Sequence, residues 1–356
     1  MIDLRSDTVT RPTEAMVDAM REATFGDDSR DGDATVQRLE ALAAERMGKS
    51  AAAFMPSGTM ANLVALLTHA NRGGEVVLEA GSHTLNSELG GIAALAGLFY
   101  KPVPGVRGAM NVERMREAIH PRTRNSFATA LVWVETTHNR AGGAVLPVAH
   151  LHDVRSAAAT HGIPVHIDGA RIFNAAAALG VDASQVAQYA DSVCFCVSKA
   201  LSAPVGSVLC GSADFIDRAR GYRRMVGGNL RQAGPLAAAG IVALESMVNR
   251  LREDHATAKR LARGLHEIDA ALVAPDDIET NIVRVELPPT GSEALQWSAQ
   301  LKERGVLVGP CDKYALRFVT HRHIANGEVD AAIRAFRAVS QEMRSKTRTT
   351  RPSSTR

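Results

Sequence analysis

Short apolar segments alternate with amphipathic ones through the first two thirds of the chain. Apolar, strand-forming runs occupy residues 75–80, 131–135, 165–168, 192–199 and 207–211. Between these runs, apolar residues recur at the three- and four-residue spacing of a helix, at 62–70, 147–161 and 184–189. Strands that alternate with helices predict an α/β fold with a mostly parallel sheet covered on both faces. In such sheets, ligands bind beyond the carboxyl ends of the strands.

The pattern changes in the last third of the chain. A helical stripe runs from about residue 235 to 268 and is followed by three short apolar runs, at 281–287, 305–308 and 316–320. Helical spacing then places two helices beside these runs, at 293–304 and 328–343. This is the pattern of a second, smaller α+β domain.

These patterns define the predicted domain organisation. We expect a large domain over residues 1–250 and a small C-terminal α+β domain over residues 251–343. The last residues, 344–356, are basic and carry neither aromatic residues nor periodicity. We expect a disordered tail there rather than a binding arm.

The composition is that of an ordinary soluble globular protein, with 46% hydrophobic and 22% charged residues among 356. A net charge of +3 is too small to indicate a nucleic-acid partner. The sequence shows no apolar signal region and no apolar stretch long enough to span a bilayer, so we expect a cytoplasmic protein without a membrane partner. The cysteines lack zinc or disulfide spacing, and we expect no bound metal and reduced thiols at Cys194, Cys196, Cys210 and Cys311.

Two neighbouring apolar runs end in complementary chemistry. The run at 192–199 ends in Lys199, and the run upstream, at 165–168, ends in Asp168. A lysine at the exit of a buried strand loses hydration, which frees its amine as a nucleophile. An aspartate can keep a pyridine nitrogen protonated, so that the ring accepts electrons. The pair therefore predicts a pyridoxal 5′-phosphate (PLP) site in which Lys199 holds the cofactor aldehyde as a Schiff base.

A glycine-containing turn supplies a candidate phosphate site. Residues 55–62 (Met-Pro-Ser-Gly-Thr-Met-Ala-Asn) follow a short apolar run and open a helical pattern. Gly58 lets the backbone approach a ligand, and the first helix amides can hold a phosphate together with the Thr59 hydroxyl. Ser198 can add a further contact. Alone, such a turn is more often a plain helix cap, but its place upstream of the lysine–aspartate pair favours the phosphate interpretation.

Three further residues have both a structural and a functional interpretation. A lone histidine is more often structural, but His83 follows a predicted strand, where its ring can stack on a flat cofactor. Arg231 lies in a glycine-rich loop at 227–232, which suits phosphate binding, a subunit contact or an ordinary loop. Arg317 lies inside an apolar strand. A charged residue there usually has a partner, and a substrate carboxylate would be a planar one.

Several motifs, occurring in one order, resemble a known family. They are residues 3–10 (Asp-Leu-Arg-Ser-Asp-Thr-Val-Thr), 56–60 (Pro-Ser-Gly-Thr-Met), 135–139 (Glu-Thr-Thr-His-Asn), 166–173 (His-Ile-Asp-Gly-Ala-Arg-Ile-Phe), 198–199 (Ser-Lys), 203–207 (Ala-Pro-Val-Gly-Ser), 231–234 (Arg-Gln-Ala-Gly) and 317–321 (Arg-Phe-Val-Thr-His). Over residues 1 to about 340 the chain resembles the L-threonine aldolases of the β-eliminating lyase group, PLP enzymes of fold type I. The resemblance implies an aspartate aminotransferase-like large domain with its first twenty residues at the active site.

The resemblance also implies a role for each candidate residue. Lys199 would form the Schiff base, Asp168 would pair with the pyridine nitrogen, and His83 would stack on the ring. Arg171 would contact the 3′-oxygen side of the cofactor and the substrate carboxylate. Arg231 would come from a neighbouring subunit, so that a homodimer or homotetramer shares its active sites. The other implied contacts are to the phosphate, by Gly58 and Thr59, and to the substrate carboxylate, by Ser6 and Arg317.

Three positions in the family's substrate pocket depart from its pattern. Arg30 stands where an aromatic residue is usual, and Ser87 ends a segment (residues 84–87) that usually carries another aromatic residue. Asn125 replaces a histidine thought to engage the substrate β-hydroxyl. Because the cofactor residues are intact, we predict a working enzyme with altered side-chain specificity. Arg30 would favour an anionic or strongly hydrogen-bonding β-substituent if it points inward, but it could equally point to solvent.

The predicted reaction is retro-aldol cleavage of an L-β-hydroxy-α-amino acid, such as L-threonine or L-allo-threonine, to glycine and an aldehyde. With asparagine at position 125, the base that takes the β-hydroxyl proton is either His83 or an ordered water. One alternative keeps the cofactor and changes the reaction to β-elimination or to transaldolase-type exchange. Another alternative is a PLP-binding regulatory or structural protein without turnover, which the retained Lys199, Asp168 and Arg317 disfavour.

Overall fold

The chain divides into two compact units. A computed structural model describes residues 1–287 and 293–349, with side chains described as far as residue 344. The larger unit is Thr10–Leu251, and the smaller one combines Met1–Val9 with the chain from Arg252 onward. The first nine residues therefore group with the C-terminal unit, whereas the sequence placed them in the large domain. Within the described part of the chain, no helix is long and apolar enough to cross a bilayer.

The strands and helices are numbered in chain order. The strands are β1 (Ile2–Asp3), β2 (Ala51–Met55), β3 (Glu75–Glu79), β4 (Phe99–Val103), β5 (Gly105–Val106), β6 (Ala109–Met110), β7 (Thr129–Glu135), β8 (Val165–Asp168), β9 (Ser192–Cys196), β10 (Ser207–Gly211), β11 (Ile282–Glu286), β12 (Val306–Leu307), β13 (Gly309–Asp312) and β14 (Ala315–Val319). The helices are α1 (Glu14–Glu22), α2 (Ala34–Met47), α3 (Gly58–His69), α4 (His83–Asn86), α5 (Gly91–Ala94), α6 (Val112–Ala118), α7 (Val148–Ala159), α8 (Ile172–Leu179), α9 (Ala183–Ala187), α10 (Ala213–Met225), α11 (Gly234–Val242), α12 (Leu251–His266), α13 (Ala294–Glu303) and α14 (Asn326–Thr349). Short 3₁₀ turns lie at Asp7–Val9 and Pro275–Asp277.

A seven-stranded sheet forms the centre of the larger unit, in the order β2-β10-β9-β8-β7-β3-β4. Strands β9, β8, β7, β3 and β4 pair in parallel, which confirms the predicted mostly parallel sheet. Strand β10 is antiparallel to both of its neighbours, β2 and β9. Strand β2 therefore runs in the same direction as β9, and the carboxyl ends of β2, β3, β7, β8 and β9 lie at one edge of the sheet.

Both faces of this sheet are covered, as the alternating pattern predicts. On one face, buried residues of α2, α7, α9 and α11 pack against the strands. On the other face, α3 and α10 form a second core, with Phe215 and Ile216 among its buried residues. Strands β8 and β9 are buried on both faces, as expected for strands inside a parallel sheet that is covered on both sides.

The smaller unit has its own core. An antiparallel sheet in the order β11-β14-β13 packs with α12, α13 and α14, and fully buried Trp297, Phe318 and Phe336 lie at its centre. The run predicted at 305–308 forms β12, which pairs in parallel with β1 instead of joining the three-stranded sheet. This pairing is the physical reason that the N-terminal residues belong to this unit.

The C-terminal helices differ from the predicted ones in two places. The helix expected over about 235–268 is interrupted by a π-helical turn, Ala243–Met247, between α11 and α12. Its apolar stripe is kept, since Leu244, Met247 and Leu251 are buried. Helix α14 continues to Thr349, past the start of the predicted tail, and residues 350–356 lie outside the described residues.

Candidate active site

Asp168 and the strand that leads to Lys199 are neighbours at the carboxyl edge of the sheet. Strands β8 and β9 pair in parallel, with Asp168 opposite Cys194. Asp168 is 2% exposed, and its carboxylate accepts from the Ala170 amide at 3.1 Å. Lys199 follows the end of β9 and is half-buried. The predicted lysine–aspartate pair thus lies where ligands bind in a parallel sheet.

The backbone around Lys199 is held on both sides. Its carbonyl accepts from the Thr10 hydroxyl at 2.9 Å and from the Ser202 amide at 2.8 Å. The Ser198 hydroxyl donates to the Gly206 carbonyl at 3.1 Å. The predicted phosphate contact of Ser198 therefore competes with a backbone acceptor that the structure already provides. The turn positions the lysine without using the lysine side chain.

The start of α3 lies at the same edge and forms a candidate anion-binding site. Ser57 caps the helix by accepting from the Met60 amide at 3.1 Å, and Thr59 is exposed. A Cβ atom on Gly58 would lie only 2.8 Å from Cys196 Sγ, at the end of β9. Only glycine therefore lets the helix start lie this close to the strand that leads to Lys199. The first amides of the helix and the positive end of its dipole suit a phosphate.

A chain of hydrogen bonds connects Asp168 with His83. The Asn62 amide nitrogen lies 2.8 Å from Asp168 Oδ2 and 2.8 Å from Glu88 Oε1. The same Glu88 oxygen lies 2.9 Å from His83 Nδ1. The sequence predicted Asp168 and His83, but it missed Asn62 and Glu88. The available signal was an asparagine within an apolar helical run, since a buried amide needs partners.

The pKa values of this pair reflect their contact. The hydrogen bond that His83 donates to Glu88 raises the pKa of His83, against the opposing effect of burial. Burial, in turn, raises the pKa of Glu88, while its hydrogen bond with His83 acts in the opposite direction. The Nδ1 proton points toward the Glu88 carboxylate, so Nε2 is the ring nitrogen that can accept a proton from another group.

A second buried network holds the backbone of His83. Glu135, the last residue of β7, accepts from the His83 amide at 2.5 Å and from the Asn139 amide at 2.8 Å. His138 contacts Glu79 at 3.0 Å and Glu135 at 3.9 Å. Although burial opposes it, the charge of Glu135 and the contact with Glu79 raise the pKa of His138. These residues fix the loop that carries His83.

One ring nitrogen of His83 and one carboxylate oxygen each of Glu88 and Asp168 lie within 4.8 Å of one another. A metal ion can use such a spacing. Here the two hydrogens of the Asn62 amide already face both carboxylates. Each carboxylate therefore already has a hydrogen-bond donor from the protein.

The predicted arginines have different environments. Arg171 is buried at the start of α8, and its carbonyl accepts from the Thr137 hydroxyl at 2.9 Å. The side chain of Arg231 is 68% exposed and that of Arg30 is 77% exposed. Both contact the Asp27 carboxylate at 3.8 Å, Arg231 through Oδ1 and Arg30 through Oδ2. In this chain, Arg30 therefore points largely to solvent, next to the residue predicted to serve a neighbouring copy.

Asn125 lies at the amino edge of the sheet, opposite the carboxyl edge that carries the candidate site of the same chain. It is exposed and precedes β7, whose carboxyl end carries Glu135. Seven residues of extended strand span about 20 Å, so Asn125 and Asp168 lie at opposite edges. The predicted pocket position is not brought to the site within one chain. The chain order already indicated this, because Asn125 precedes the predicted strand at 131–135, whereas ligands bind beyond the carboxyl ends of the strands. Ser87, by contrast, is exposed at the end of α4, next to Glu88.

Ser6 and Arg317 belong to the smaller unit. The Ser6 hydroxyl accepts from the Thr8 amide at 3.2 Å. Arg317 is half-buried on β14 and donates to the Arg5 carbonyl at 3.2 Å. Their assignment to the substrate carboxylate stays a prediction.

The residues at the carboxyl edge fit the predicted cofactor. A half-buried lysine, a buried carboxylate, a histidine ring and an open helix start occur on neighbouring elements of one unit. Gly58 provides the structural test of the fit, because the lack of a Cβ atom lets the first amides of α3 lie beside the end of β9, where the phosphate would be bound. The set suits an aldehyde, a ring nitrogen, a flat ring and a phosphate, respectively.

Comparison with known proteins identifies the family. The chain belongs to the family described as beta-eliminating lyase, whose model matches residues 3–288. It is 42% identical to the low specificity L-threonine aldolase of Escherichia coli K12 over 342 residues, which cover 95% of this chain and all of that protein. It is 40% identical to low-specificity L-threonine aldolase 1 of Arabidopsis thaliana over 354 residues, 98% of this chain and 99% of that one.

The fold is also shared with solved structures. The threonine aldolase of Leishmania major superposes with a TM-score of 0.80 at 18% identity, over 96% of this chain and all of that one. Serine palmitoyltransferase of Sphingomonas wittichii superposes with a TM-score of 0.77 at 18% identity, over 97% and 88% of the chains. These matches confirm the predicted fold class.

Proposed function

We propose that the protein is a PLP-dependent aldolase that cleaves an L-β-hydroxy-α-amino acid, such as L-threonine or L-allo-threonine, to glycine and an aldehyde. The names of relatives that are 40% or more identical over almost the whole chain support the reaction. The observation that carries the proposal is the pairing of β8 with β9, which brings buried Asp168 beside the strand that leads to Lys199.

The residues of the chain divide the work. When bound, PLP supplies an aldehyde that captures amines and a ring that accepts the electron pair of the broken bond. The amine of Lys199 would hold the aldehyde, and the carboxylate of Asp168 would keep the ring nitrogen protonated. The helix start at Gly58 and Thr59 would hold the phosphate and so fix the ring relative to Lys199 and Asp168.

His83 is the better of the two predicted bases. Its Nδ1 lies 2.9 Å from Glu88, which sets the proton on that nitrogen and leaves Nε2 to accept the β-hydroxyl proton. Because Glu88 raises the pKa of His83, the base is protonated, and activity is lost, as the pH falls through a value above 6.5. A water held by the same residues is the alternative.

In this proposal, the substrate carboxylate is bound by Ser6, Arg171 and Arg317. The exposed Arg231 reaches the site of a neighbouring copy in a homodimer or homotetramer, which its 68% exposure within one chain permits. The protein works in the cytoplasm on a free amino acid.

Two departures from the family pattern support a second candidate substrate class. Ser87 is small and exposed, and Arg30 adds a cation beside Arg231. If copies assemble so that Arg30 faces the site, an anionic β-substituent is accepted, and 3-hydroxyaspartate becomes a substrate.

Product analysis tests the proposed function. Purified holoprotein is incubated with L-threonine, L-allo-threonine, L-phenylserine and L-3-hydroxyaspartate, and glycine, aldehyde, ammonia and keto acid are quantified. Stoichiometric glycine and aldehyde support the proposal, whereas ammonia with a keto acid indicates β-elimination and contradicts it. The Lys199→Ala variant serves as the control for cofactor-independent breakdown.

A further inference from the structure

Asn62 occupies the centre of the network that joins Asp168 to His83. It lies on α3, just past the helix start at Gly58, and it is 2% exposed. Its amide nitrogen is 2.8 Å from Asp168 Oδ2 and 2.8 Å from Glu88 Oε1. A third acceptor, Thr84 Oγ1, lies farther away at 3.3 Å, so the two hydrogens of the amide nitrogen are best placed for the two carboxylates.

The thiol of Cys194 fixes which way the amide points. Cys194 lies on β9 opposite Asp168, and its sulfur donates to Asn62 Oδ1 at 3.0 Å. Burial raises the pKa of this thiol well above its usual range, so it stays protonated and remains a donor. The flipped amide would turn its oxygen toward both carboxylates and leave the thiol without this acceptor.

The amide therefore separates two carboxylates in a buried site. One carboxylate oxygen each of Asp168 and Glu88 and one ring nitrogen of His83 lie within 4.8 Å of one another. Two carboxylates at such a separation do not both stay ionised without donors between them. The Asn62 hydrogens provide those donors at no cost in net charge.

We propose that Asn62, oriented by the Cys194 thiol, is a positioning residue that holds Asp168 against the cofactor ring nitrogen and Glu88 against His83. The proposal rests on the proposed function in so far as PLP occupies the carboxyl edge. Without the amide, one of the two carboxylates takes up a proton. A proton on Asp168 leaves the ring nitrogen without its counter-charge, and a proton on Glu88 weakens its hold on the imidazole.

The first test measures cofactor binding in the absence of substrate. In Asn62→Leu, which keeps the side-chain volume but removes the donors, we expect the PLP dissociation constant to rise about tenfold or more, the equivalent of one pH unit of differential interaction. The pH titration of the ring nitrogen, followed through the cofactor absorbance, is expected to move to lower pH by about one unit, because a ring nitrogen without its counter-charge loses its proton more readily.

The second test separates orientation from packing. Cys194→Ser keeps a donor, and we expect its titration to match that of the wild type, whereas Cys194→Ala is expected to shift in the same direction as Asn62→Leu, by less. The matched control is Cys210→Ala on β10, whose buried thiol lies 3.8 Å from the Ala43 carbonyl and outside the network. Its titration is expected to stay at the wild-type position.

A folded Asn62→Leu protein with a wild-type dissociation constant and titration would overturn the proposal. If that variant does not fold, the cysteine pair decides: equal titrations for Cys194→Ser and Cys194→Ala overturn it. Failure of the proposed function is distinguishable, because it shows as the absence of glycine from the wild type, while these titrations are recorded without substrate.

Discussion

Gly58 shows how a single methyl group can matter at the site. Its position at the start of α3 gives the helix amides access to a phosphate, and a Cβ atom there would meet Cys196 Sγ at 2.8 Å. Because Cys196 is buried on β9, the helix start must move rather than the strand. The movement displaces the amides from the phosphate they are predicted to hold.

We therefore expect Gly58→Ala to weaken PLP binding about tenfold or more, a loss of roughly 1.4 kcal/mol or more of binding free energy. The matched control is Gly221→Ala, an exposed helical glycine on α10 whose added Cβ meets nothing within 4 Å. That change is expected to leave PLP affinity unchanged and to raise stability by up to about 1 kcal/mol. Equilibrium binding measures the first effect and urea unfolding the second. Equal PLP affinities in the two variants would contradict the predicted phosphate site at the start of α3.

At the residue scale, position at an element end could be read from the sequence, whereas lateral contacts could not. Lys199 and Asp168 end apolar runs, and the structure places both at the carboxyl edge. Asn62, Glu88 and Glu135 were missed, because their partners lie on other elements, and linear spacing carries no information about which side chains meet. Asn125 was predicted from a family position, but within one chain the strand between it and Glu135 separates it from the site.

At the element scale, a histidine pair joins the end of α3 to the beginning of β8 and β9. The Ser192 hydroxyl lies 2.6 Å from His69 Nε2 and 2.7 Å from His166 Nδ1. Burial lowers the pKa of His69 to about 4 and that of His166 well below its usual range. Both are neutral in the folded protein, while in the unfolded chain they take up protons below about pH 6.5.

This difference makes the free energy of unfolding fall as the pH drops from about 6.5 toward 4, by up to about 1.4 kcal/mol per pH unit for each histidine. His69→Gln keeps a hydrogen-bonding group but removes one titration, so its stability is expected to fall less steeply over that range. The control is His152→Gln, an exposed histidine on α7. Urea unfolding at a series of pH values measures the slopes, and a wild-type slope in His69→Gln would refute the assignment.

Elements with a strong apolar pattern were predicted well, and those without one were not. Strands β3, β7, β8 and β9 are almost fully buried, and they match the predicted runs. Strand β4 was missed because it is an edge strand whose first four residues are exposed. Strand β13 was missed because it contains Gly309 and Pro310 and is at most half-buried. The antiparallel direction of β10 could not be read either, since an apolar run has no direction.

At the scale of the whole molecule, the N-terminus closes the smaller unit. The Leu4 amide donates to the Leu307 carbonyl at 2.8 Å, and its carbonyl accepts from the Val319 amide at 2.8 Å. The Leu4 side chain is fully buried in the core of that unit. Sequence patterning could not predict this, because two residues of strand carry too little pattern to show a pairing partner three hundred residues away.

Leu4→Ala is expected to destabilise the smaller unit by about 2–5 kcal/mol, since it removes buried methyl groups and leaves a cavity. Leu295→Ala makes the same change at a 67% exposed position on α13 of the same unit, and it is expected to cost little. Trp297 lies in this unit, so its fluorescence, in a Trp133→Phe background, follows the unfolding in urea. Equal stabilities for the two leucine variants would show that the N-terminal pairing contributes nothing.

We propose that the carboxyl edge of the sheet is a PLP site with Lys199 as its nucleophile. Borohydride reduction of the PLP-loaded protein, followed by peptide mass mapping, identifies the lysine that carries the cofactor. We expect a phosphopyridoxyl group on Lys199 in the wild type and no labelled lysine in Lys199→Ala. A label on a different lysine of the wild-type protein would contradict it.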